Sequence, residues 1–384
     1  MFLSKKIFIV SSSLLLVVLL FWGIYFFSFQ KPSAGKETTN TSQTSTTAGS
    51  GKEAAPIKEE RIQQLTTDAV LAPVFSGADN TVKYYAKSTG KAYVIDLMDL
   101  STKILSDTNL PGLIDVFWSP DQSKVITKFA SGTDSSKFFS YDYTTRTGIA
   151  LSGNTNAVAW QNNNKIFYTY LDKKAKEKSI NLADPDGKNW HKIISFSPDN
   201  ILIAPIPMSG FVSFWNKPDS FSQTLMQSTP ALGGETKTLS AETFGADYLW
   251  NANGTLLLRS NVDQKGGHLM GLGFSNNLGG EYKNLGVPTF VSKCAWSKNN
   301  EFIFYALPGA IPEKSILPND YANNLFTTKD TFWKINLKTG EKTRLIPLEE
   351  LTEAYDATNL FLDANESYLF FTNKIDGKLY RIRL

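Results

Sequence analysis

WSPDQSKVITKF (Trp118–Phe129) sets the fold of this chain, because the same cassette returns at Trp160 (WQNNNKIFYTY), Phe196 (FSPDNILIAP), Trp250 (WNANGTLLLRS) and Trp296 (WSKNNEFIFYA). Each copy has a bulky anchor, a polar turn of Ser, Pro, Asp, Asn or Gly, and a β-rich run. Two weaker copies flank the set, FSGADNTVKYYA from Phe75 and LDANESYLFFT from Leu362. Asx side chains, Pro and Gly favour tight turns, so each cassette reads as a hairpin that begins on a short strand ending at the anchor.

Several second strands lack the alternation of a half-wet sheet. Phe302–Tyr305 and Tyr368–Phe371 are continuously apolar, which places both of their faces in a core. A third strand follows most hairpins, as in Lys91–Leu97, Phe138–Tyr143 and Thr331–Leu337, and then a short fourth such as Thr102–Leu105. The anchors are separated by about 43, 42, 36, 54, 46 and 66 residues, near the roughly 40–50 of a four-stranded propeller blade. Seven anchors imply an all-β, seven-bladed β-propeller over residues 59–384. Large aromatic anchors would fill the wedges between blades. The last blade runs out at Leu384 without a fourth strand, while Arg61–Thr66 lies unclaimed ahead of the first anchor. Residues 61–66 are therefore expected to supply the outer strand of the last blade and close the ring.

The W-S-P-D and N-x-N-G turns, with apolar strands after them, resemble the WD40-like repeat of TolB-type propellers of bacterial envelopes, over roughly residues 60–384. KCAWS (293–297) and FFTNKIDGKLY (370–380) look like a narrower set of N-terminally anchored bacterial propellers that carry no assigned activity. The resemblance implies the fold. It does not imply a role in the Tol system, because TolB has a separate N-terminal α/β domain, where this chain is expected to have an apolar helix and a tether instead.

Residues 7–28 (IFIVSSSLLLVVLLFWGIYFFS) carry no charge, and a helix of that length spans roughly 33 Å at ~1.5 Å per residue, enough for a bilayer core. Trp22 and Tyr25 suit the headgroup zone. The rival is a cleaved signal peptide, but the run exceeds the usual h-region of about 7–15 residues and no A-x-A site follows. The expected layout is a cytoplasmic head (1–6), a signal-anchor helix (7–28), a flexible Ser/Thr-rich linker (29–58) that reaches roughly 30 Å as a random coil, and an extracytoplasmic propeller. Lys5 and Lys6 are balanced by Lys31 and Lys36, so orientation rests on the short head preceding a large domain.

Chemistry is scarce by comparison. Cys294 is the only cysteine, and His191 and His268 are the only histidines, so intrachain disulfides, Cys-rich zinc sites and His-rich metal sites are excluded. There is no HExxH, Walker A or G-x-S-x-G motif. Gly271-Leu-Gly273 falls short of a dinucleotide fingerprint and reads as loop or bulge positions, while Asp184-Pro-Asp186-Gly187 reads as a hairpin turn of blade three rather than a calcium loop. The net charge of +3 is small, and the basic run KKAKEK (173–178) reads as a solvated loop. No nucleic-acid partner, metal or cofactor is expected.

One irregularity remains. Residues 307–329 (LPGAIPEKSILPNDYANNLFTTK) interrupt the hairpin rhythm of blade six, and so long a loop is uncommon unless functional or disordered. Pro318, Asp320, Tyr321 and Phe326 are its candidate binding residues, against the alternative that it only packs on a neighbouring blade. The functional expectation is a non-catalytic, membrane-anchored binding or scaffold module of the envelope with a protein or glycan partner. The alternatives are an envelope glycan hydrolase or lyase using loop carboxylates, and a structural subunit of an envelope complex.

Overall fold

The residue after the anchor does more than turn the chain. Ser119, Asn251, Ser297 and Asp363 are all buried, and each side chain accepts the backbone N–H five residues on, from Lys124 (2.9 Å), Leu256 (3.0 Å), Phe302 (2.9 Å) and Tyr368 (2.8 Å). A buried polar side chain satisfied in this way fixes the hairpin without an unpaired group.

A computed structural model describes residues 60–132 and 136–384, which form seven antiparallel sheets of four strands each. Their innermost strands are Val70–Ser76, Leu113–Trp118, Thr155–Asn162, Ile201–Pro205, Asp247–Trp250, Cys294–Trp296 and Ala357–Leu362. The protein is an all-β, seven-bladed propeller. The tryptophan anchors bond as well as fill: the indole N–H of Trp118 donates to Ala72 O (2.9 Å), that of Trp160 to Phe117 O (2.9 Å) and that of Trp296 to Leu249 O (3.2 Å). In each case the acceptor lies on the innermost strand of the preceding blade. Ile303, Phe304 and Tyr305, like Leu369, Phe370 and Phe371, are buried, as their unbroken apolar run requires.

Blade four departs from the cassette reading. His191–Phe196 is the outermost strand of blade three, and Ser197-Pro-Asp-Asn200 is the link between blades rather than an inner turn. The inner hairpin of blade four turns instead at residues 207–210, where Ile206 N donates to Phe211 O (3.0 Å) as Ser119 N does to Lys124 O (2.9 Å). Moving the anchor from Phe196 to Pro205 converts the uneven steps of 36 and 54 residues into 45 and 45. Asp184–Gly187 does form the hairpin turn of blade three, with Gly187 N donating to Asp184 O (2.8 Å). Gly271 and Gly273 lie inside the strand Met270–Asn276 rather than in a loop.

The outermost strand of blade seven is Ile62–Gln64, paired antiparallel to Leu379–Arg383 with Ile62 opposite Ile382 and Gln64 opposite Tyr380. Bonds from Leu65 N to Leu379 O (2.8 Å) and from Arg383 N to Arg61 O (3.0 Å) extend the pairing. The segment read as a membrane helix, residues 7–28, lies outside the described residues, as does the linker read at 29–58. Among the described residues no helix is long and apolar enough to cross a membrane.

Candidate functional site

In a four-stranded antiparallel blade the chain enters the innermost strand on one face of the ring, and the link between second and third strands returns to that face. On this face the entry link of blade four (Asp199, Asn200) meets the link after its second strand (Asn216, Lys217, Asp219). Two hollows share Asp199, Asn200 and Lys217: one of about 480 Å³, of mixed polar and apolar lining, reaching over blades two and three to Asp115, Lys128 and Lys178, and a more polar one of about 370 Å³ reaching to Asn319 and Asn323. Together they make a continuous groove. Its charges balance, with Lys128, Lys178 and Lys217 against Asp115, Asp199 and Asp219, and Lys178 pairs directly with Asp199. Phe117, Phe196 and Tyr170 add ring surface. Burial pushes the Asp115 carboxyl above the usual carboxylate range, against the opposing pull of the Val116 N–H and the Lys128 ammonium.

The groove's far wall is the blade-six insertion. Its helix α1 (Asn319–Ala322) brings Asn319 over blade four, where its amide accepts from Ser220 N (2.8 Å) and donates to Asp219 (2.8 Å). The four insertion residues singled out from sequence fall in different places. Pro318 lies against Gly245, whose missing Cβ would stand 2.5 Å from Pro318 Cδ. Asp320 accepts Ile316 N (2.8 Å) and ties the insertion to itself. Tyr321 is buried, stacked on Phe290 with ring centres 4.7 Å apart, and the tilted Phe326 ring lies 5.7 Å from it. The groove-lining residues of the insertion are their neighbours Asn319, Ala322 and Asn323.

Beneath Tyr321 sits a cluster of ionised groups withdrawn from water. Lys293, Asp330 and Asp356 are all fully buried, and the Lys293 ammonium lies 2.6 Å from Asp330 Oδ2 and 2.6 Å from Asp356 Oδ1. It also donates to Ala357 O (3.0 Å) and Thr328 Oγ1 (3.1 Å). The carboxylates are satisfied in turn: Asp356 accepts from Tyr321 Oη (2.5 Å) and Thr328 N (3.1 Å), and Asp330 from Thr328 Oγ1 (2.6 Å) and Ala357 N (2.7 Å). Burial pushes the Asp330 carboxyl up, and Lys293 offsets this only in part. Burial acts on Asp356 too, but Lys293 and the bonds from Lys293, Tyr321 and Thr328 outweigh it and hold that carboxyl low. Lys374 covers the other face of Tyr321, 3.6 Å from its ring centre, and donates to Tyr321 O (2.7 Å). Blades six and seven thus clamp the insertion through Tyr321.

His191 bonds Ala231 O (3.1 Å) at a strand start, and His268 bonds Ser315 O (3.1 Å) in a loop that supports the insertion. Among the described residues no group of three or more His, Cys, Asp and Glu side chains is placed to hold a metal ion.

No protein-family model matches the sequence, and no curated protein does. Solved structures match over most of the chain. An oligogalacturonate lyase in complex with manganese is 12% identical over 85% of this chain and 93% of its own, with a TM-score of 0.59. The β-propeller domain of the Trilobed protease from Pyrococcus furiosus is 12% identical over 82% of this chain and 95% of its own, with a TM-score of 0.52. TolB from Acinetobacter baumannii is 13% identical over 74% of this chain and 62% of its own, at 0.45. These likenesses concern the fold alone, that of a β-propeller.

Proposed function

We propose that this chain is a membrane-anchored, extracytoplasmic binding module that takes a polar, uncharged glycan segment in the groove over blades two to four. One observation carries this reading: the groove is amide-rich, electrically balanced and bounded by aromatic rings, and its wall is an insertion clamped by a buried ionic cluster. Fixed hydrogen-bonding groups beside apolar surface suit a ligand with many hydroxyls and apolar ring faces, and a preorganised wall limits the entropy lost on binding. A protein partner would need a larger, less polar contact. The uncharged run at residues 7–28 supports the anchor.

Two experiments test this. Asn200→Leu and Lys217→Ala, both on surface links, should leave stability within about 0.5 kcal/mol yet reduce retention on immobilised envelope polysaccharide at least tenfold; unchanged retention refutes the groove. Protease added to intact cells should digest the propeller, and full protection refutes the topology.

Asp115 favours a second reading, a glycan-cleaving enzyme. A carboxyl whose pKa is raised by burial can keep its proton for a leaving oxygen, and named fold neighbours include lyases. If so, the polysaccharide released from the column is shortened, Asp115→Asn stops the shortening, and the rate falls as pH rises through the raised pKa. Intact polysaccharide in the wild-type eluate leaves the binding reading standing.

A further inference from the structure

Between blades one and two lies an open slot of about 480 Å³ that shares no lining residue with the groove. Its blade-two wall follows from the strand register. Thr127 stands opposite Phe139 and Phe129 opposite Lys137, and Tyr141 lies two residues further on, so all of them share one face of the sheet. Phe129 and Phe139 meet edge to face with ring centres 5.4 Å apart. Gly148 pairs with Tyr141 from the outermost strand and puts no side chain over that ring. Tyr85 and the link that carries Thr108 and Leu110 form the opposite wall from blade one.

Apolar surface stays bare in this slot. Phe139 is 37% exposed, and the half-buried Phe129 and Tyr141 continue the apolar surface along the sheet. A contiguous patch marks a binding surface more often than an isolated exposed side chain does. The polar groups beneath it are already used: Thr127 Oγ1 donates to Phe139 O (3.3 Å), and the Tyr85 and Tyr143 hydroxyls bond each other (2.5 Å). Burial raises the pKa of both phenols, that of Tyr85 to about 12, so neither is charged at neutral pH. Lys137 is therefore the only charged residue lining the slot, and it is exposed. Among the described residues its ammonium takes part in no hydrogen bond or ion pair. From Lys137 to Tyr141 the strand advances ~13 Å at ~3.3 Å per residue. One end of a long apolar space thus carries an unengaged cation.

We propose that this inter-blade slot binds a free medium-chain carboxylate, with its carboxylate on the Lys137 ammonium and its extended chain along Phe129, Phe139 and Tyr141. The volume equals about sixteen water-sized spaces at ~30 Å³ each, and a methylene is close to that size, so a saturated acid of about ten carbons fits with water left at the mouth. A compact anion such as phosphate would meet Lys137 but leave the rings bare. An alkyl ammonium would cover the rings but set two cations together.

Photolabelling of the full-length chain in its membrane tests this, with a decanoic acid that carries a diazirine at mid-chain and peptide mapping by mass spectrometry. Label should fall on Phe129 and within Lys137–Tyr143. Decanoate should compete it off about tenfold better than decanol or decyltrimethylammonium, the advantage of a bond between charged groups. Gly148→Trp, whose Cβ would meet nothing nearer than Tyr141 Cδ2 at 3.6 Å, should fill the slot and abolish this labelling while the protein melts with wild type. Phe139→Asp, at an exposed site, should also abolish it, and decides if Gly148→Trp does not fold. Lys137→Gln should keep the labelling but erase the preference for decanoate over decanol. Label only elsewhere in the chain, equal competition by decanol, a preference that survives Lys137→Gln, or wild-type labelling in the folded slot variants overturns the proposal.

Discussion

Lys293→Met should lower the unfolding free energy of the propeller by about 3–5 kcal/mol at neutral pH, the range expected when one partner of a buried ion pair is removed and the other is stranded. The loss is large against a typical total of about 5–15 kcal/mol. Two fully buried carboxylates would remain without their cation. They would then hold protons more tightly than the ordinary ~3.9 of an unfolded aspartate. A folded state that binds more protons than the unfolded one gains stability as pH falls, so the deficit should shrink from pH 7 towards about 4. Wild type should differ. Its Asp356 is held low, so that residue's contribution is present above the unfolded pKa and is lost as pH falls through the folded one. Asp330, pushed up by burial, works in the opposite sense: as pH falls through its raised pKa, stability is gained. Urea unfolding at several pH values reads the difference. A variant within 1 kcal/mol of wild type at pH 7, with the same pH slope, would show that the cluster does not hold the ring. Because Tyr321 donates to Asp356, the variant should also loosen the insertion and become cleavable by protease within residues 309–316.

The sequence carried the ring where local chemistry repeats and hid the parts that depend on contacts far apart in the chain. Trp118, Trp160, Trp250 and Trp296 were legible because each is followed by its own polar turn, and the structure adds that their indoles reach blade to blade. Blade four was misplaced because Ser197-Pro-Asp imitates an inner turn, whereas the true turn follows Pro205-Ile206 and has no aromatic anchor. Its bulk comes instead from Trp215 on the second strand, whose indole donates to Asp247 (3.1 Å). Residues 307–329 announced themselves by length alone. Nothing near Tyr321 points to Lys293 or Asp356, which lie 28 residues before it and 35 after it. One signal was available: Asp115, Asp247 and Lys293 each stand three residues before a tryptophan anchor, where a charge entering an apolar strand must find a partner. The groove had no comparable signature, because Asn and Lys on links look the same whether or not they converge.

Deleting residues 61–66 should cost more than their number suggests. The segment covers the outer edge of blade seven, where Ile62 packs in a cluster with Phe371, Tyr380 and Ile382. It receives Leu379 N on Thr66 Oγ1 (3.1 Å) and pairs Arg381 Nε with Gln63 (3.0 Å). Burying Ile62 is worth about 1.5–3 kcal/mol, and each backbone bond about 0.5–1.5 kcal/mol net. Ordering the segment costs about 1–2 kcal/mol per residue, so its own balance is close to even. The larger penalty falls on what it covers: without it Leu379–Arg383 becomes an exposed apolar edge strand with unpaired backbone groups. The last blade would then be held to the first by side-chain packing and the bond from Val70 N to Gly377 O (2.8 Å). The expected result is a cooperative unfolding transition lowered by on the order of 5 kcal/mol, together with concentration-dependent self-association as the bare edge pairs with another copy. Ile62→Asp, which keeps the backbone pairing and puts a charge into the cluster, should reproduce the destabilisation without the association. A truncated chain that stays monomeric at high concentration and melts with wild type would mean that the ring does not depend on this seam.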